Sequence, residues 1–106
     1  MRERILEILR SARSRKAMYL GTVDVPSAEC FLNGFVVGCF ACGRDLPLEI
    51  HEQVTIARGW TWSAARPIDE MRERGLTEEQ VVDELFAIEI AAWEALHNGF
   101  LASRDN

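Results

Sequence analysis

The chain has 106 residues, 48% hydrophobic and 27% charged, with three prolines and seven glycines, so it holds one core but not two and does not have the composition of a disordered segment. Net charge is −5 but uneven: residues 1–16 carry six basic side chains against Glu3 and Glu7, a balance of +4, which leaves −9 on the other ninety residues and argues against nucleic acid as a main partner. No apolar run reaches the roughly 20 residues of a membrane span, three cysteines do not make a complete disulfide framework, and the first residues lack a signal peptide's apolar core; the expectation is a cytoplasmic single domain over 1–106 with no membrane partner.

In chain order, Ile5, Ile8, Leu9 and Ala12 recur at spacings of three and four, which predicts an amphipathic helix to about Ser14. Met18-Tyr19-Leu20 is a short apolar turn that Gly21 ends. Ser27 offers an N-cap for the next helix, with Glu29 in its first turn. That helix, residues 28–42, has no charge between Phe31 and Gly43, and a helix apolar on all sides is normally buried. Gly34 and Gly38 within it share a face, where a second helix is expected to cross closely.

Asp45, Pro47 and Glu49 look like another helix start, with Gly59 as its stop. Residues 46–58 also alternate as a strand does, and helix is the preferred reading. Trp60-Thr61-Trp62-Ser63 is a polar-aromatic connection, followed by a short helix to about Arg74 with Ala65, Ile68 and Met71 inward. Thr77 and Gln80 then form a capping box, with Leu76 and Val81 at the spacing of a hydrophobic staple. The helix they open runs to about His97, and Asn98-Gly99 closes it. Residues 104–106 are read as a frayed tail. The expected fold is all-α: a compact single-domain bundle of about five helices around a buried central helix at residues 28–42.

No catalytic constellation, cofactor pattern or metal site stands out. Cys39-x-x-Cys42, with Cys30 and His51, has the elements of a zinc set, but a pair set among Phe, Val and Gly reads as core filling. His51-Glu52 lacks the second histidine of a zinc-protease helix. Glu78, Glu79, Asp83, Glu84 and Glu94 make the last helix strongly acidic, and paired carboxylates of this kind mean a solvated face.

Arg15-Lys16-Ala17-Met18-Tyr19-Leu20-Gly21 is similar to a phrase of the ATPase domain of type II topoisomerases such as DNA gyrase. That family also needs an asparagine-bearing helix and an Asp-x-Gly-x-Gly turn; Val81-Val82-Asp83-Glu84 has no asparagine and no Gly-x-Gly occurs, so nucleotide binding is not implied. The same turn, followed by Phe31-Leu32-Asn33-Gly34-Phe35, Trp62 and the helix at 82–96, resembles a group of small bacterial proteins, with Lys16-Ala17 where that group has a proline. Some proteins of this kind look like immunity partners of secreted toxins. Together with the acidic last helix and the lack of a catalytic set, the resemblance leads to the expectation of a non-enzymatic protein-binding module that neutralises a basic cognate toxin, with Trp60, Trp62, Glu78, Glu79, Asp83, Glu84 and Glu94 as the binding residues. The other readings are a small ligand-binding protein or enzyme with its pocket near Tyr19 and Trp62, and a homo-oligomer built on the Gly34/Gly38 face.

Overall fold

The computed structural model describes residues 2–63 and 65–99, so the tail at 104–106 lies outside the described residues. Those residues form α1 (Arg2–Ser14), α2 (Lys16–Leu20), α3 (Val25–Ala41), α4 (Leu48–Ala57), α5 (Ile68–Glu73) and α6 (Glu78–His97), with no strand among them. The fold is all-α, and the described residues form one domain.

Helix α6 is the element that the others cover. Thr77 opens it with the full capping box: the Gln80 amide N–H donates to Thr77 Oγ1, and the Thr77 amide N–H donates to Gln80 Oε1. Val81, Val82, Leu85, Phe86, Ile88, Ile90, Ala92 and Trp93 are buried, which is most of the helix circumference over three turns. Helices α1, α3, α4 and α5 all pack on it. From α1 come Ile5, Leu6, Leu9 and Ala12; Leu6 turns inward where the spacing favours Ile8, which is exposed.

The expected centre is therefore displaced. In α3 the fully buried side chains are Val25, Ala28 and Leu32, whereas Val37 is 68% and Phe40 58% exposed. Its inner edge meets α6 through Phe31, whose ring centroid lies 5.8 Å from that of Phe86. Lack of charge does not make α3 the core: outward positions such as Cys30, Asn33, Gly34, Gly38 and Ala41 face water cheaply, and Val37 and Phe40 beside them leave an apolar face open. Among the described residues no helix crosses at Gly34 or Gly38: a Cβ at either would meet nothing within 4 Å. Cys30 and Cys42 are exposed and only Cys39 is part-buried, so the cysteines are not core filling as a set.

Two helix starts also differ from the sequence reading. Asp24, not Ser27, caps α3, its Oδ1 accepting the Ser27 amide N–H at 2.8 Å, and Pro26 sits in the first turn where its missing N–H costs nothing. Pro47, not Asp45, precedes α4, with no side-chain cap. Residues 48–57 are helical, with Ile50 and Thr55 buried, so alternation there is incidental.

Candidate functional site

Two side chains from distant parts of the chain meet on the inner side of α4. His51, 18% exposed, sits one turn into α4, and its Nε2 lies 3.1 Å from Oε1 of Glu89, which is 1% exposed in the middle of α6. Burying a carboxylate is costly unless both oxygens find donors. Glu89 Oε2 has no partner among the described residues. Thr55, also buried, donates its Oγ1 hydrogen to the His51 carbonyl at 2.7 Å, which fixes that turn of α4 beneath the imidazole.

The loop after α4 supplies the facing wall. Trp60 anchors it: the indole Nε1 donates to Glu84 Oε2 at 2.9 Å, the amide N–H donates to the Thr55 carbonyl, and Arg74 lies 4.7 Å over the ring. Thr61 adds a second tie, its amide donating to Glu70 Oε1 at 2.8 Å. That bond is the first reason the Glu70 carboxyl lies below its usual range. Thus held, the chain turns Trp62 toward His51, with ring centroids 5.9 Å apart and edge to face. Arg66 closes the far end by donating from Nη1 to Asn33 Oδ1 on α3 at 2.7 Å.

Between these walls lies a groove of about 530 Å³, floored by Leu85, Ile88 and Glu89 and walled by Val36, Leu46 and Trp62 among others. A mainly apolar cleft of that size with a few convergent polar groups is the ordinary form of a ligand site. Its hydroxyls are engaged with backbone: Thr55 with the His51 carbonyl, and Ser63 with the Ala65 carbonyl at 2.9 Å. Neither is a nucleophile activated by His51.

No family model, curated protein or solved structure matches this chain. The groove therefore rests on its own geometry.

The residues singled out by sequence fall in two places. Trp62 lines the groove; Tyr19 does not, its ring standing edge-on to Phe31 and its hydroxyl donating to Ser11 Oγ at 2.9 Å. The acidic residues lie along α6 and most are taken. Asp83 accepts from Arg13 and Lys16, Glu84 from Arg58 and Trp60, Glu94 from Arg10 at 2.6 Å, and Glu78 from Arg72 and the Val25 amide. Glu79 is exposed. Arg13 is the main reason the Asp83 carboxyl is held at about 2, with Lys16 adding to it. Burial pushes Glu84 up, but Arg58 and the Trp60 indole together bring it below its usual range.

Among the described residues no three His, Cys, Asp or Glu side chains cluster as a metal set. Burial above all, then the charges of Cys42 and Glu89, push the Cys39 thiol above its ordinary range, which opposes a reactive Cys-x-x-Cys. Sequence reasoning misses Glu89, although a signal is present. It stands seven residues after Val82, four after Leu85 and four before Trp93, so it occupies the apolar face of its helix.

Proposed function

We propose that this protein is a non-enzymatic binding domain whose site is the groove between α3, α4, α6 and the Trp62 loop. The observation that carries the reading is the Glu89–His51 pair on the floor of an apolar cleft, where a buried carboxylate oxygen lacks a donor. Binding is favoured over catalysis because the groove hydroxyls are committed to backbone carbonyls. A thermal-shift screen of small organic compounds tests it: ligands of the groove raise the melting temperature of the native chain and not that of a Trp62→Ala variant. A screen in which the two chains respond alike removes the reading.

A second reading, docking of a protein partner, is supported by the exposed Val37, Phe40 and Leu48, of which Val37 and Leu48 stand at the groove mouth. Its narrower form, an immunity-type protein that occludes a basic toxin, is supported by the resemblance of residues 15–35 and by the acidic balance of the chain. Because Asp83, Glu84 and Glu94 already hold arginines, such a partner would have to use the Val37 face and Trp62 rather than α6. Loss of partner capture on Val37→Glu, with capture retained by Glu79→Gln, is the expected pattern; the reverse pattern returns the interface to α6.

A further inference from the structure

The chemistry of the groove narrows what it takes, given the reading of it as a binding site. Glu89 Oε2 is an acceptor without a donor, on a side chain 1% exposed, and hydrogen bonds to ionised carboxylates are about twice as strong as neutral ones. A second carboxylate, Glu29, lines the wall one turn before Asn33. Against these two acids the lining holds one guanidinium, Arg66, which already donates to Asn33. Trp62 adds an indole to the wall. This fold already places a cation on an indole, Arg74 over Trp60, and among the described residues none lies over Trp62.

We propose that the groove binds an organic cation: a primary ammonium group on an apolar body, its N–H groups directed to Glu89 and Glu29 and its body against Val36, Leu46 and Leu85. Oε2 is itself closed to solvent, so binding requires the part-exposed His51 ring, bonded to Oε1, to move aside and let a donor reach it. The Trp62 indole receives the positive charge on its face.

The test uses three probes that share one body and differ in the head: cyclohexylmethylamine, cyclohexylmethanol and cyclohexanecarboxylate. Each is titrated at pH 7 into the native chain while the Trp62 indole N–H resonance is followed. The amine is expected to bind about tenfold more tightly than the alcohol, since it alone brings a positive charge to the two carboxylates. Glu89→Gln is expected to weaken the amine more than the alcohol and so narrow that difference to the few-fold that Glu29 supplies. If Glu89→Gln does not fold, Glu29→Gln decides, with a loss of a few-fold for the amine alone. Equal binding of amine and alcohol, or tightest binding of the carboxylate through His51 and Arg66, overturns the inference while the groove remains a binding site. No response to any of the three overturns both.

Discussion

Arg13 grips Asp83 with two nitrogens, Nε at 3.0 Å and Nη2 at 2.8 Å, and Lys16 reaches the same carboxylate at 2.9 Å. One acid on α6 thereby fastens the end of α1 and the start of α2, and Lys16 completes the joint by donating to the Arg13 carbonyl at 2.7 Å. Three of the six basic side chains of the N-terminal segment, Arg10, Arg13 and Lys16, are thereby paired with the acidic helix.

The joint has a pH signature. The Asp83 carboxyl lies at about 2 in the folded chain against 3.8 for an ordinary aspartate, so its contribution is complete above about 4 and is lost as pH falls toward 2. Asp83 is 41% exposed, so solvent screening reduces that contribution to about 1 kcal/mol. Asp83→Asn is expected to unfold at lower urea than the native chain at pH 7, and the gap should close between pH 4 and pH 2. A gap of constant size across that range would show that the charge is not its source.

The buried pair is asymmetric in what its loss should cost. Removing His51 leaves both oxygens of the buried Glu89 carboxyl without a partner, and an unsatisfied buried polar group costs about 1–3 kcal/mol. Replacing the carboxylate itself removes the unsatisfied oxygen as well, and an apolar side chain of similar size is often neutral or better. His51→Ala should therefore be much less stable than Glu89→Leu by denaturant unfolding, although the His51 ring is the more exposed of the two. Equal losses would mean that the stranded carboxyl is not what makes the loss of His51 costly.

How much of this is legible in the sequence depends on the range of the signal. The Thr77–Gln80 box and the α6 stripe are readable because every group involved lies within a few turns. The partners of Asp83, Glu84 and Glu94 are not, because those arginines stand 26 to 84 residues away, and an acidic run without visible partners reads as a solvated face. The candidate site is hidden for the opposite reason. Glu89 keeps the register of Val82, Leu85 and Trp93, but an acid is expected to face water, so the apolar periodicity skips over it. In α3 the absence of charge imitates burial, although Val37 and Phe40 face outward beside the small residues.

That correction has a measurable form. Glycine in a helix interior costs about 1 kcal/mol relative to alanine. A Cβ at Gly34 or Gly38 meets nothing within 4 Å, so Gly34→Ala and Gly38→Ala should each stabilise the monomer by up to about 1 kcal/mol. Phe86→Ala, at the centre of α6, should cost about 3–5 kcal/mol. Destabilisation by the alanines at Gly34 and Gly38 would show that another helix approaches that face in solution.

The three cysteines should separate by reactivity. Cys30 and Cys42 are exposed, whereas Cys39 is part-buried and its thiol is pushed up mainly by that burial, then by the charges of Cys42 and Glu89. The thiolate is the reacting form, so at pH 8 Ellman's reagent should consume two thiols quickly and the third slowly. Cys39→Ala should remove the slow phase alone. Glu89→Gln should quicken that phase only modestly, because the carboxylate is the smallest of the three causes and burial is unchanged. A slow phase that becomes as fast as the others in Glu89→Gln would mean that the carboxylate charge, rather than the packing around α3, controls the thiol.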